Sequence, residues 1–324
     1  MSRRLASNRY LLAAVVAVLV VACSAADAET TSSTDVAEQS SATTTTVGAT
    51  STSTTSTSTT TSTSTTVAPT TTTTTLAVPL LDRAITAVGT SDGEETARVQ
   101  ERLLEAGFWL MGVDGDYGHT TKQAVMAFQK YYGLKPSGKV DDDTALALTQ
   151  VATWPQARSK DSGTIVEVDK TRQILMIVVE GRVLWVLNTS TGSGQWFLEV
   201  NQKDPTKWEL GRSITDSGRF KINRERSDGW WEGDLGEIYR PKYFNGGIAI
   251  HGSRSIPNYP ASHGCVRVSV PAMDMIWETG ILPKGTPVWV YGDDVEAKNE
   301  KPVMPTTTTT IVPVAESTTT TVVP

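Results

Sequence analysis

Two of the chain's three histidines and one of its two cysteines lie in the stretch HGSRSIPNYPASHGCVRV, which begins at His251. A thiolate is a strong nucleophile, but free cysteine has a pKa of about 8.5, so a catalytic cysteine needs an imidazole or another cation nearby. Cys265 has two such neighbours, His251 at the end of an apolar stretch and His263 two residues away. Because Gly264 permits a close backbone approach, we expect the amides of Gly264 and Cys265 to point at one oxygen and to stabilise an oxyanion.

Two other interpretations of the same residues stay open. A lone cysteine near a histidine is often a buried small apolar residue without a chemical role. His251, His263 and Cys265 are also suitable zinc ligands, although no fourth ligand of a suitable kind lies nearby in the sequence. We therefore predict a site without a metal or a cofactor.

The first residues are typical of an exported protein. Three arginines precede the apolar run Leu11–Ala22, which is too short to span a bilayer and predicts a signal peptide over residues 1–28. The letters VVAC, ending at Cys23, are similar to a lipobox and would make Cys23 a lipidated membrane anchor, whereas ADA at 26–28 suits ordinary signal peptidase. Either outcome leaves Cys265 without a disulfide partner, so a structural disulfide is not expected.

Composition separates two disordered segments from the rest of the chain. Thr and Ser dominate residues 29–79, and a second Thr-rich segment is predicted over residues 294–324. Neither segment can bury enough apolar surface to offset the loss of chain entropy. The net charge of −6 argues against a nucleic-acid partner, which would normally require a basic face.

Residues 80–150 follow a helical pattern. The Ser-x-x-Glu spacing from Ser91 predicts a capping box, followed by apolar residues at helical spacing up to Gly107. A second helix is predicted from about Thr120 to Tyr132, with Thr120 or Thr121 as its cap, and a third from near Asp143.

A resemblance fits this helical region. The letters DGDYGHTTKQAVMAFQKYYGL, followed by SGKVDDDTALAL, are similar to the three-helix peptidoglycan-binding domain. Most of the matching residues shape turns or fill a core, so the motif indicates the fold. Glycan binding is what the resemblance implies.

Residues 160–293 change to a pattern typical of β-structure. Strands are predicted around Ile165, over 174–179 and over 183–187, with Glu180-Gly181 as a hairpin turn. Further strands are predicted in GRFKINRE, GIAIHG and GTPVWVYG, and one helix is predicted from Pro271. The expected fold class is α+β, with a small helical domain followed by a mostly β domain.

The β region resembles the L,D-transpeptidase family, which has a YkuD-type catalytic domain. The resemblance rests on IHG followed by SHGCVRV, on an opening hairpin, and on the closing strand ILPKGTPVWVY. It implies that Cys265 is the nucleophile and His251 the general acid/base, with His263 as a further catalytic residue. It assigns oxyanion and substrate-binding roles to Gly252, Ser262, Gly264 and Arg267.

The activity implied is cross-linking of peptidoglycan stem peptides through a thioester on Cys265. An L,D-carboxypeptidase would use the same residues with water as the acceptor, and a catalytically silent peptidoglycan-binding protein is the third interpretation. For Ser262 a loop-ordering hydrogen bond is an alternative role, and for Arg267 a structural salt bridge. The segment from Gln195 to Ile214 and the tryptophans Trp230 and Trp231 are interpreted as shaping a substrate groove, with simple packing as the alternative for the tryptophans.

Overall fold

The computed structural model describes residues 77–305. The predictions for the signal peptide, for Cys23, for the spacer up to residue 76 and for the end of the tail lie outside the described residues. The helices are α1 (Glu94–Glu105), α2 (His119–Tyr131), α3 (Asp142–Gln150) and α4 (Val270–Glu278). The strands are β1 (Thr164–Asp169), β2 (Ile174–Val179), β3 (Arg182–Asn188), β4 (Trp196–Val200), β5 (Trp208–Arg212), β6 (Gly218–Lys221), β7 (Arg224–Glu225), β8 (Trp230–Gly233), β9 (Gly236–Asn245), β10 (Ile248–Ser253), β11 (Val266–Ser269) and β12 (Pro287–Tyr291). None of the helices in this range is long and apolar enough to cross a membrane.

Helices α1, α2 and α3 lie where the apolar spacing predicts them, but their caps differ. The capping-box prediction for Ser91 is wrong, because α1 begins after Gly93, whose amide donates to the Gly115 carbonyl. Helix α2 begins after Gly118 without a side-chain cap, so the prediction that Thr120 or Thr121 caps it is also wrong.

Five strands form the first sheet in the order β3-β2-β1-β12-β6. Strands β2 and β3 form the predicted hairpin, and Glu180 and Gly181 both have positive φ, as a tight two-residue turn requires. The last of the described strands, β12, pairs in parallel with β1 and antiparallel with β6. It therefore lies inside the sheet.

Both faces of this sheet are buried, which explains the continuous apolar run in β2. Ile174, Met176 and Val178 face a core shared with α1, α2 and α3, whereas Leu175 and Ile177 face a second core. That second core also contains residues of β10, β11 and α4. Alternate side chains of one strand thus join the helical region to the rest of the fold.

The second sheet has the order β11-β10-β9-β7, with β8 paired to β9, and strands β4 and β5 form a separate hairpin. The mostly β character of this region and the helix near Pro271 are confirmed. Strands β4, β5, β8, β9 and β11 were not predicted from the sequence. Residues 77 and 78, within the predicted spacer, pair with residues 153 and 152.

Candidate active site

Two parallel strands bring His251 and Cys265 to one face of the second sheet. His251 lies in β10 in register with Arg267 of β11, and Cys265 stands two residues before Arg267. Side chains two residues apart in an extended chain point to the same face, so His251, Cys265 and Arg267 share it. The opposite face carries Ile250 and Val266, which are fully buried in the second core. Burial of those neighbours fixes which way the three polar residues point.

The imidazole of His251 is buried and held in one orientation. Its Nδ1 lies 2.8 Å from the carbonyl oxygen of Gly252, so Nδ1–H donates there and Nε2 is left with its lone pair. Burial lowers the pKa of His251 to about 4, the Gly252 carbonyl opposes that shift, and the charge of Arg267 adds to it. At neutral pH His251 is therefore an uncharged base.

The thiol of Cys265 is partly buried. Its Sγ lies 3.8 Å from the Gly247 carbonyl oxygen, and the residue keeps partial solvent access. Burial raises the pKa of Cys265, while the Ala249 amide and the charge of Arg267 act in the opposite direction. The resting pair is thus a thiol and a neutral imidazole, so the sequence-based idea of a cationic partner for a preformed thiolate does not fit His251.

Residues 254–265, here called the Cys265 loop, end in a tight turn built around Ser262. The Ser262 hydroxyl donates to the Cys265 carbonyl at 2.6 Å and accepts from the Gly264 amide at 3.0 Å. Gly264 has φ +140°, and a Cβ there would come within 2.7 Å of the Ile214 carbonyl oxygen. The Gly264 amide is therefore engaged by Ser262, and the expectation that it points with the Cys265 amide at a substrate oxygen is not met.

Arg267 and Gly252 flank the pair. None of the salt bridges among residues 77–305 involves Arg267, so the structural salt bridge considered from the sequence is absent from this part of the chain. Burial lowers the pKa of Arg267, and its charge reaches both His251 and Cys265. Gly252 has no room for a side chain, because a Cβ would stand 2.8 Å from the ring of Tyr239.

The β4–β5 hairpin contacts the Cys265 loop through His263. Glu199 of β4 accepts from His263 Nε2 at 2.9 Å, and the Phe197 ring packs edge-on against the imidazole at 4.8 Å between centroids. At the tip, Lys203 pairs with Asp234 at 2.9 Å, and Asp234 belongs to the β8–β9 turn. The hairpin thus runs past the site and is fixed at its far end.

A C-terminal segment fixes the base of this hairpin. Asn299 accepts from the Trp196 amide at 3.0 Å and donates to the Trp196 carbonyl at 2.8 Å. The Gln195 side chain accepts from the Lys298 amide at 2.9 Å. These residues fall within the tail predicted from composition, and the part of that tail up to Lys301 contacts the catalytic region.

Three residues near the site were missed by the sequence reasoning. Thr215 donates to the Gly264 carbonyl at 2.6 Å and accepts from the Gly192 amide, and Thr189 donates to the Arg267 carbonyl at 2.7 Å. Glu199 is the third. Buried threonines in loops have no distinctive spacing, so the sequence carried no signal for them. Nowhere in residues 77–305 do three or more potential metal ligands of the His, Cys, Asp or Glu type gather.

Comparison with known proteins agrees with this arrangement. A family model described as the L,D-transpeptidase catalytic domain, YkuD, matches residues 163–290, and a model for a peptidoglycan binding domain matches residues 92–148. The crystal structure of the L,D-transpeptidase from Xylanimonas cellulosilytica is 42% identical and covers 66% of this chain and 100% of its own, with a TM-score of 0.57. The chain belongs to the L,D-transpeptidase family. Its catalytic and peptidoglycan binding domains both relate it to the bacterial cell wall.

Two further matches have a lower sequence identity to this chain than the Xylanimonas protein has. The L,D-transpeptidase (Yku) from Stackebrandtia nassauensis is 22% identical over 65% of this chain and 97% of its own, with a TM-score of 0.37. The "Probable N-acetylmuramoyl-L-alanine amidase" of Bacillus licheniformis is 37% identical over 70 residues. That alignment spans 21% of this chain and only 20% of the Bacillus protein.

Proposed function

We propose that this protein cross-links peptidoglycan stem peptides by L,D-transpeptidation, with Cys265 as the nucleophile and His251 as the general acid/base. The observation that carries the proposal is the pairing of a partly accessible thiol with a buried histidine on one face of β10 and β11. Because Nδ1 of that histidine is committed to the Gly252 carbonyl, Nε2 is the nitrogen that would exchange protons with the thiol.

In the first step Cys265 Sγ attacks the carbonyl on the L side of an L,D peptide bond in a stem tetrapeptide. The thiol proton passes to His251 Nε2 as the C–S bond forms, because both groups are neutral at rest. The tetrahedral intermediate then collapses, the C–N bond breaks, and His251 returns the proton to the departing D-amino acid. A thioester to Cys265 remains.

In the second step the amine of a neighbouring stem attacks the thioester carbonyl. His251 takes a proton from that amine, the C–S bond breaks, and the sulfur leaves as a thiolate that the proton neutralises. The products are a new amide cross-link and the starting thiol. Water in place of the amine would give a carboxypeptidase, and the same side chains would serve it.

The remaining site residues have supporting roles in this proposal. The Cys265 amide is the oxyanion donor, since Ser262 already engages the Gly264 amide and thereby orders the turn. Arg267 is unpaired with any described carboxylate and would hold a substrate carboxylate. His263, linked to Glu199, would line the substrate groove beside the thiol.

The two domains and the flanking segments suggest where the protein acts and what each part contributes. We propose that residues 1–28 direct export, with Cys23 as a lipid anchor if the lipobox is used, and that residues 29–79 form the spacer. Residues 80–150 would bind peptidoglycan and residues 160–293 would act on its stem peptides, with residues 294–324 as the tail. Binding of the polymer by one domain raises the effective concentration of stem peptides at the other.

The test is intact-mass and product analysis of the purified protein with a disaccharide-tetrapeptide. Wild type, Cys265→Ala and His251→Ala should be compared under identical conditions. A stem-sized adduct and a dimeric product in wild type, both absent from Cys265→Ala, would support transpeptidation. An adduct with only trimmed monomer would point to the carboxypeptidase. Absence of both from wild type, with peptidoglycan binding retained, would point to the catalytically silent binding protein.

A further inference from the structure

Helix α2 of the peptidoglycan binding domain carries two buried polar residues that the proposed chemistry does not use. Gln123 and Lys130 are 8% and 7% exposed. They are seven residues apart, about two helical turns, and so lie on the same side of the helix. Buried lysines are rare because removing the ammonium from water is unfavourable unless several oxygens surround it.

Lys130 is surrounded by acceptors from the catalytic domain. Its Nζ donates to the Gln173 carbonyl at 3.1 Å, to Asn188 Oδ1 at 2.6 Å and to the Thr189 carbonyl at 3.1 Å. These three bonds use all three donors of the ammonium group. Burial lowers the pKa of Lys130 to about 7.

Gln123 contacts the Cys265 loop itself. Its Nε2 donates to the Ile256 carbonyl at 3.4 Å, and its Oε1 accepts from Asn188 Nδ2 at 2.6 Å. Ile256 is buried and lies inside the loop. A further tie comes from the loop, where Asn258 Nδ2 donates to the Pro136 carbonyl of the peptidoglycan binding domain at 2.8 Å.

Residues 189–191, which follow β3, connect helix α2 to the end of the Cys265 loop that contains the cysteine. The Thr189 carbonyl accepts a hydrogen bond from Lys130 Nζ, and the Thr189 hydroxyl donates to the Arg267 carbonyl at 2.7 Å. Ser190 donates to the Tyr259 carbonyl at 2.8 Å, and the Ser262 amide donates to the Thr191 carbonyl at 2.9 Å. The segment thus lies between α2 and the loop and bonds to both.

We propose that Gln123 and Lys130 are positioning residues for the Cys265 loop, so that the peptidoglycan binding domain holds the nucleophile in place as well as binding the wall. The proposal rests on the proposed role of Cys265. A reacting group must be held to within about 0.5 Å of its productive place, and a displacement of about 1 Å can lower the rate about 100-fold. Loss of the α2 contacts should therefore lower the rate of acylation without weakening wall binding.

The helix offers a matched control for this idea. Gln129 is also buried in α2, but its side chain bonds only within the peptidoglycan binding domain, to Ser137, Lys139, Thr144 and the Gly138 amide. Gln123→Leu and Gln129→Leu each remove a buried amide from the same helix. Only Gln123→Leu removes a direct bond to the Cys265 loop.

The experiment measures kcat and KM for the tetrapeptide donor and the rate of Cys265 alkylation by iodoacetamide in both variants and in wild type. We expect kcat of Gln123→Leu to fall about 10- to 100-fold at a similar KM, and alkylation to become faster, because a loosened loop exposes the thiol. Gln129→Leu should match wild type in both measurements, and sedimentation with peptidoglycan should be equal in all three proteins. Equal kcat and alkylation rates in the two variants would overturn the proposal.

Two additions keep the result decisive. If Gln123→Leu fails to fold, Asn258→Ala replaces it, because Asn258 is exposed. We then expect a smaller fall in kcat and a smaller increase in the alkylation rate. Wild-type values of kcat and of the alkylation rate in Asn258→Ala would contradict the proposal. If wild type shows no turnover, the proposed function fails, and the alkylation rates alone then decide whether α2 positions the loop.

Discussion

Phe108 joins the two domains, and its replacement by alanine should destabilise both together. The side chain is fully buried in the core that α1, α2 and α3 share with the first sheet, and its ring packs on Phe128 at 5.2 Å between centroids. Its backbone also pairs with Val186 of β3. A buried Phe→Ala change costs about 3–5 kcal/mol. For a protein of this size we expect Tm to fall by about 6–20 °C.

Thermal unfolding followed by calorimetry measures the shift, and hydrogen exchange read by mass spectrometry shows which elements open. Peptides from α2 and from β2 should lose protection together in Phe108→Ala, because one core holds both. The control is Leu146→Ala in α3, where the side chain is 55% exposed and a change within about 0.5 kcal/mol is expected. Early loss of protection in α2, with β2 unchanged up to a second transition, would refute the shared-core reasoning.

Three other variants or conditions test the site and its support. Because the pKa of His251 is lowered to about 4, kcat/KM for the proposed acylation of Cys265 should rise with pH through about 4 and stay flat near 6.5; a step at 6.5 would contradict a neutral resting imidazole. Gly264→Ala combines a φ of +140° with a contact to the Ile214 carbonyl, so it should lower Tm and kcat, whereas Gly229→Ala, with open space around it, should match wild type in both assays. The pKa of Lys130 is about 7 in the folded protein against 10.5 when unperturbed, so between these values the unfolded chain binds more protons and the free energy of unfolding should rise with pH. Denaturant melts from pH 6 to 9 should show this rise in wild type and a smaller one in Lys130→Met; equal slopes would exclude Lys130 as its source.

Periodicity predicted the elements whose side chains face one core. The helical spacing from Val99 to Leu148 and the apolar run at Ile174 translate into α1 to α3 and β2, because burial of apolar side chains dominates their placement. The cap of α1 was missed since Ser91 lies before Gly93, and Gly93 instead pairs with the turn at Gly115. A capping pattern contains only neighbouring residues, so it does not predict a hydrogen bond from a residue as far along the chain as Gly115.

The candidate site was only partly accessible from the sequence. The sequence predicted only that His251 ends a strand and lies near Cys265. The shared sheet face follows from the parallel pairing of β10 with β11, and β11 was not predicted. The partner of His263 was not foreseeable, since Glu199 lies in a segment whose hairpin has no strict alternation of apolar and polar residues. The contact of Lys130 with the catalytic domain was equally hidden, because a lysine within a helix normally indicates a solvated face.

The position of β12 bears on how the chain acquires its fold. This strand lies between β1 and β6, yet it follows them by more than a hundred and by about seventy residues, respectively. A sheet whose inner strand arrives late has a high contact order and closes slowly. During synthesis, the edges of β1 and β6 that pair with β12 stay open until residues 287–291 have emerged. The chain is then exposed to misassociation through those edges, and assistance from chaperones would act in this interval.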